Sequence, residues 1–328
     1  MAADESSRFL AWAEDENVGE LTLEQLHAQL RRISHAYLKV PTEPLFVRTR
    51  ELRDRAFTLL TGQHRPRLAR ELYAAAGWSL TVLAWMSVDL GRPDAAEDHA
   101  RAAWLCAERA EHDGLRAWVR ATQHTAAFWQ DDFTQAAGYA ADGLQYASGG
   151  SAALLLTSAY AVDLAHCGQD EPAWEALRQA WVVAESAEPT EDQLAGPLSC
   201  SVDRAGGFWS DAQLTLGAAD AALVPADRAV AAFETVPPQQ RNWGSERMVR
   251  LQQVRAHLAL GQLDGAETTI APVLEIVPEH RMRPLLMRMN DVFTEAATSR
   301  YPSDPIAVRI RSEVLAFQQA ATTRELAP

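Results

Sequence analysis

Apolar residues recur every three or four positions along most of the chain, which is the spacing of one face of an α-helix. Pro41 and Pro44 end the first such stripe, because proline biases the residue before it away from the helical conformation. A second helix ends at Gly62, and a long apolar helix follows from about Leu68 to Leu90. No segment alternates apolar and polar residues between turns, so no strand is predicted. The two early stripes consist of Leu23, Leu26, Leu30, Ile33 and Tyr37, and of Leu52, Ala56, Leu59 and Leu60.

One short phrase occurs five times: a turn residue, two further positions, and a helix that opens on alanine. The glycine at the turn tolerates the left-handed conformation that ends one helix. An acidic residue then favours the positive end of the next helix, and the alanine allows two helices to approach closely. The phrases begin at Gly91, Asp131, Gly168, Gly217 and Gly261, with spacings of 40, 37, 49 and 44 residues.

A phrase at such a period predicts a repeat array, in which no unit buries its apolar face alone. We therefore predict an all-α protein, a right-handed α-solenoid of about six or seven tetratricopeptide-like helical hairpins. Residues 1–66 are predicted to form an N-terminal helical segment and residues 67–297 the repeat array. Residues 298–328 are predicted to form a C-terminal capping helix and tail.

Two connections within the array are unusually long. Ser186–Ser201 contains two prolines, and Thr235–Ser245 contains a Pro-Pro pair and Trp243. Long loops on a helical array are either lids over a binding surface or plain surface irregularities. The sequence leaves both alternatives open.

The charge balance excludes some partners. The net charge is −14, with 44 acidic against 30 basic residues and no basic cluster, so direct nucleic-acid binding is not expected. No apolar run reaches the roughly 18 residues of a membrane span. The first 24 residues carry seven acids and one base, Arg8, unlike a secretory signal. Three cysteines without paired spacing argue against a disulfide framework. These features predict a cytoplasmic protein that does not bind membranes.

Motifs for catalysis or metal binding are missing from the sequence. There is no His-Glu-x-x-His, no Cys-x-x-Cys, no phosphate-binding glycine loop and no Gly-x-Ser-x-Gly elbow. Glu108 and His112 have helical spacing, but such a pair is usually a solvated face. We therefore assign no catalytic residue, no metal and no cofactor.

Candidate binding residues can be identified by counting back a fixed number of positions from each turn residue. In tetratricopeptide arrays the first helix of each hairpin lines the concave groove. We predict an aromatic wall of Trp78, Trp85 and Trp118, with polar contacts from Arg204, Asp211 and Arg255 further along. Two alternatives stay open: the aromatic residues fill gaps between helices, or the Arg–Asp–Arg set is an internal salt-bridge ladder. The two register sets, 13 and six residues before each turn residue, are Trp78, Trp118, Leu155, Arg204 and Met248, and Trp85, Thr125, Val162, Asp211 and Arg255.

Three stretches, Phe9–Gly19, Tyr73–Leu80 and Ala103–Gln123, resemble a known family. They are similar to the tetratricopeptide-like regulatory region of actinobacterial helix-turn-helix transcriptional regulators, over residues 8 to about 295. In that family an Xre-type DNA-binding module usually precedes this region, whereas only about eight residues precede the similar segment here. The resemblance therefore implies the sensing and oligomerising half, and it transfers no ligand residues.

Together these features predict a non-enzymatic regulatory or accessory protein. Its concave groove is expected to bind a peptide, a small molecule or a partner protein. Two alternatives remain: an enzyme or accessory protein recruited to natural-product biosynthesis, and a protein–protein scaffold or homodimer.

Overall fold

The computed structural model describes residues 5, 20–37, 39–62, 64–186, 194, 196–238, 240–298 and 300–325. Every regular element in these ranges is a helix, as the sequence predicts, and none is a strand. The stretch Phe9–Gly19, on which part of the family resemblance rests, lies outside the described residues. So do residues 187–193 of the first long loop.

From residue 20 onward the described chain forms fourteen α-helices and two short 3-10 turns, Gly196–Leu198 and Pro278–His280. The helices are α1 (Glu20–Ala36), α2 (Thr42–Leu60), α3 (Pro66–Asp89), α4 (Pro93–Ala110), α5 (Asp113–Phe128), α6 (Phe133–Leu144), α7 (Gly150–His166), α8 (Asp170–Ser186), α9 (Val202–Thr215), α10 (Ala219–Thr235), α11 (Trp243–Leu260), α12 (Leu263–Leu274), α13 (Arg283–Ala296) and α14 (Pro305–Glu325).

From α3 onward, consecutive helices pack in pairs as six helical hairpins, α3/α4 through α13/α14. The first helix of each hairpin also contacts the first helix of the next, so the odd-numbered helices form one continuous layer. Helices α1 and α2 pack together and against α3 at the N-terminal end. This arrangement confirms the predicted all-α solenoid.

The five predicted turn residues all adopt the left-handed conformation, which accounts for the glycine preference. Gly91, Gly168, Gly217 and Gly261 have φ between 69° and 80°, and Asp131, the one turn residue that is not glycine, has φ 59°. The alanines that follow are at most 1% exposed, so each lies where two helices meet. These alanines are Ala96, Ala136, Ala173, Ala222 and Ala266.

The array curves until its sixth hairpin returns to the first. Helix α13 contacts α3, and the aliphatic part of Arg283 packs beside the turn at Gly91. Because the odd-numbered helices form the inside of this curve, their inner faces surround an enclosed space. No helix in the described ranges has the length and apolar character needed to cross a bilayer.

Candidate functional site

The inner face of the array holds a cavity of about 950 Å³, counted to its open mouth. Five of the six hairpins contribute side chains to it, all from their first helices or from residues adjoining those helices. The cavity therefore exists only because the whole array curves around it. Its principal lining residues are Trp85 and Asp89 of α3, His124, Thr125, Phe128 and Trp129 at the end of α5, Arg204, Phe208 and Asp211 of α9, Ser245, Met248, Val249 and Gln252 of α11, and Arg288 of α13.

Several aromatic rings line this inner cavity. Phe128 and Trp129 meet edge to face, with ring centroids 5.1 Å apart. The guanidinium carbon of Arg288 lies 5.4 Å from the centre of the Trp129 ring, and that of Arg204 lies 5.3 Å from Trp85. The cavity wall thus contains two arginine–tryptophan pairs, a contact that combines apolar area with charge.

A buried ion-pair network crosses the cavity wall. Asp211 of α9 accepts hydrogen bonds from Arg288 of α13, with Nη2 2.7 Å from Oδ2, and from Arg255 of α11, with Nη1 2.9 Å from Oδ1. The same arginines bond outward to Asp291 at 3.0 Å and Glu295 at 2.8 Å. The network ties three hairpins together and leaves buried charges on the inner face.

Electrostatics keep the centre of this network ionised. Burial would raise the pKa of Asp211, but Arg288, Arg255 and His166 outweigh burial and lower it to about 2. For Arg255, burial disfavours the charged form, while Asp211 and Glu295 together raise its pKa above the ordinary value. Burial lowers the pKa of His166, against the attraction of Asp211. The Asp211 carboxylate is therefore charged at every pH at which the protein would be handled.

A histidine and an aspartate form a second buried pair at the cavity. His124 is 2% exposed, and its Nε2 lies 3.1 Å from Oδ1 and 3.0 Å from Oδ2 of Asp163 on α7. Burial raises the pKa of Asp163, while His124 opposes the change. The other ring nitrogen of His124, Nδ1, is buried and has no hydrogen-bond partner among the described residues.

Asp89 closes one end of the cavity. It is the last residue of α3, and it accepts a hydrogen bond from the hydroxyl of Tyr37, which directly follows α1. Burial raises the pKa of Asp89 to about 7, although the Tyr37 hydrogen bond and Arg204 both oppose the rise. This carboxyl group therefore changes its charge near neutral pH.

A second cavity adjoins the first on the inner face, and Phe128, Trp129 and Arg288 line both. It is more polar, with Arg255, His166, Asn290 and Asp291 in its wall. His166 stacks on Phe133, with ring centroids 4.3 Å apart. The two cavities together form an inner groove, which we define by their lining residues.

The six predicted site residues do not all lie in this groove. Trp85, Arg204 and Asp211 line the inner cavity, and Arg255 lines the adjoining one and bonds to Asp211. Three residues that lie six positions before a turn residue, Trp85 of α3, Asp211 of α9 and Arg255 of α11, therefore all line the inner groove.

The other two tryptophans lie elsewhere. Trp78 is 4% exposed and faces His112 edge to face at 5.7 Å, in a separate small cavity that also contains His27. Trp118 is 5% exposed within the main hydrophobic core, and it lines none of the cavities described here. The three tryptophans therefore do not form one continuous wall. Residues of α1 pack beside Trp78, in the middle of α3.

Sequence analysis missed Arg288, Asp89 and the His124–Asp163 pair. Arg288 belongs to the sixth hairpin, whose turn lacks the recurring phrase, so no register position pointed to it. His124 and Asp163 lie seven and five residues before their turn residues, one step to either side of the register used. A wider window around the sixth position would have found both residues. Among the described residues, no group of histidine, cysteine and carboxylate side chains is arranged to hold a metal ion.

No protein-family model and no curated protein sequence matches this chain. A similar solved structure is the crystal structure of a Rap protein complexed with competence and sporulation factor. It has a TM-score of 0.53 and 12% sequence identity, and the alignment covers 92% of this chain and 99% of the Rap chain. At this identity the likeness establishes the fold: the whole array has a counterpart in another helical-repeat protein.

Proposed function

We propose that this protein is a non-enzymatic regulatory or accessory protein that binds a short peptide in its inner groove. The observation that carries the proposal is the inner cavity itself. Side chains from five of the six hairpins line it, so it is a concave site on the inner face of the array. It combines an aromatic surface with a few fixed polar groups, which is the composition of such sites.

A peptide suits this groove better than a compact ligand for two reasons. The groove draws on five hairpins and continues into the adjoining cavity, so an elongated ligand has contacts along its whole length. Neutral polar side chains, among them Thr125, Ser245 and Gln252, line the cavity and can pair with main-chain amides, while the aromatic rings accept apolar side chains.

Two likenesses support the regulatory role. The Rap protein of similar fold is complexed with competence and sporulation factor, so an array of this shape accommodates a bound factor. The resemblance to the regulatory region of actinobacterial transcriptional regulators adds that the bound state controls another macromolecule. In this proposal the protein acts on DNA indirectly, through a partner.

The proposal is tested by selecting short random peptides for binding to the purified protein and measuring the affinity of those enriched. Met248→Glu places a carboxylate in the apolar part of the inner cavity, where an unpaired buried charge opposes a bound peptide. We expect this variant to bind the selected peptides at least about tenfold more weakly, equivalent to ~1.4 kcal/mol.

Leu105→Glu is the matched control, because Leu105 is 57% exposed on the second helix of its hairpin and lies outside the groove. It should bind the selected peptides as the wild-type protein does. Equal binding by Met248→Glu and the wild-type protein would place the peptide outside the groove and refute the proposal.

An enzyme is the second candidate, and the His124–Asp163 pair favours it. A carboxylate that orients an imidazole beside a cavity is an arrangement used in general base catalysis. If the groove is catalytic, a bound compound is converted by the wild-type protein, and His124→Gln abolishes the conversion without abolishing binding. If the groove only binds, the compound is recovered unchanged from both proteins.

A further inference from the structure

A third cavity, of about 740 Å³ with its open mouth included, lies where the two unusually long loops meet the end of α1. The first loop contributes Gly196, Ser199 and Ser201, and the second contributes Gln240, Arg241 and Asn242. The sequence left open whether these loops are lids or surface irregularities. The structure brings them together around a single space.

The charge of this loop cavity is opposite to that of the chain as a whole. His35, Lys39, Arg204 and Arg241 line it, and none of its described lining residues is a carboxylate. Lys39 is also the only lysine in the sequence. In a protein with a net charge of −14, three fixed positive charges and a histidine around one cavity make a local site of positive potential.

Carbonyl oxygens hold Arg241 in place. Arg241 donates from Nε and Nη2 to the carbonyl of Val236, at 3.3 and 3.1 Å, and from Nη2 to the carbonyl of Glu234 at 3.2 Å. Arg204 donates from Nη1 to the carbonyl of Pro197 at 2.9 Å. Carbonyl oxygens fix a guanidinium without cancelling its charge, so Arg241 keeps its attraction for an anion.

The backbone adds further positive character. Ser201 is the N-cap of α9 and Asn242 the N-cap of α11, and both line the cavity. The amino-terminal ends of two helices of at least fourteen residues therefore meet there, and each carries a partial positive charge. The loop itself is tightly seated: Gly196 has φ 70°, and a Cβ there would lie 2.4 Å from the carbonyl oxygen of Ser34.

We propose that the loop cavity binds a compact oxyanion, a phosphate or carboxylate group of a small molecule. A site built of arginine forks, a lysine and helix amino termini matches the geometry and charge of such a group. The site is distinct from the inner groove, from which Arg204 and the Tyr37–Asp89 hydrogen bond separate it. The proposal does not depend on whether the groove binds a peptide.

The single lysine makes a direct test possible. Reductive methylation with ¹³C-formaldehyde labels Lys39 and leaves its positive charge intact. The NMR signal of Lys39 is identified by its loss in Lys39→Arg. Inorganic phosphate is then titrated at an ionic strength held constant with sodium chloride, and the Lys39 signal should shift and saturate.

Arg241→Gln removes one guanidinium from the cavity and should weaken phosphate binding about tenfold or more, because charge-assisted hydrogen bonds to the anion are lost. Arg109→Gln is the matched control, since Arg109 is an exposed arginine on α4 outside the cavity. It should leave the binding curve unchanged. Circular dichroism checks that each variant is folded, and His35→Gln replaces Arg241→Gln if the latter is not.

A shift that rises linearly without saturation, or an affinity that Arg241→Gln leaves unchanged, would overturn the proposal. A parallel titration with acetate separates the two ligand classes. Tighter binding of phosphate assigns the site to phosphorylated compounds, and equal or tighter binding of acetate assigns it to carboxylates.

Discussion

Asp89→Asn is expected to stabilise the protein at pH 8 but much less at pH 5, relative to the wild-type protein. Asp89 is buried at the end of the inner cavity, and burial raises its pKa from 3.8 to about 7. The folded protein therefore holds the carboxyl proton more tightly than the unfolded chain does. Stability from this group is present at low pH and is lost as the pH rises through 7.

The size of the effect follows from the two pKa values. A difference of about 3 pKa units corresponds to ~4 kcal/mol between full protonation and full ionisation. At pH 5 the carboxyl is ionised in the unfolded chain and protonated in the folded one, whereas at pH 8 it is ionised in both. Over this interval the linkage should remove about 2–3 kcal/mol from the unfolding free energy of the wild-type protein. Asparagine resembles the protonated acid, and its side-chain oxygen can still accept the Tyr37 hydroxyl, so the variant lacks this loss.

Urea unfolding followed by circular dichroism at pH 5, 6, 7 and 8 measures the difference between variant and wild type. Asp98→Asn serves as the control, because the Asp98 side chain is 77% exposed on α4. Its difference from the wild-type protein should not change with pH. If the difference for Asp89→Asn is equally independent of pH, the Asp89 carboxyl does not titrate in this range and the electrostatic account of that end of the cavity fails.

Four further substitutions test the network, the core and the turns. Asp211→Asn leaves Arg255 and Arg288 buried without their shared carboxylate, and should lower the unfolding free energy by about 3–5 kcal/mol; an unchanged urea midpoint would contradict the buried network. Trp118→Ala should lower the unfolding free energy by about 3–5 kcal/mol and leave peptide affinity unchanged, because Trp118 lies in the hydrophobic core. Loss of peptide affinity at unchanged stability would show that Trp118 belongs to the groove. Gly217→Ala should cost about 1–2 kcal/mol, since φ is 77° and the added Cβ meets open space. Asp131→Gly should shift the melting temperature upward by relieving the same strain, and a shift of the opposite sign would show that the Asp131 side chain contributes more than its backbone strain costs.

The sequence predicts most of the fold because the signal for each hairpin is local. A left-handed turn residue needs glycine or a short polar residue, and the packing of the next helix needs alanine five positions later, as at Gly168 and Ala173. Both requirements can be recognised within a few residues. The sixth hairpin shows the limit: its turn, between Ala297 and Pro305, has no such phrase, so Arg288 went unnoticed.

The inner groove was only partly predictable because it depends on curvature. Asp211 and Arg288 are 77 residues apart and meet because the array turns back on itself. Nothing in the local pattern fixes that turn. The assumed register also failed at Trp78, since it describes repeats in the middle of an array, whereas α1 and α2 pack over the first hairpin here. The outermost repeat therefore buries a position that a central repeat leaves facing the groove.

Native mass spectrometry of the protein purified from cells that naturally produce it tests the central claim most directly. The account predicts an added mass in the range of a short peptide, present on the wild-type protein and on Leu105→Glu. Fragmentation of the released ligand should give an amino-acid sequence, and Met248→Glu should carry little or none of it. A ligand that is not a peptide, or a peptide retained equally by Met248→Glu, would contradict the claim that the inner groove is a peptide-binding site.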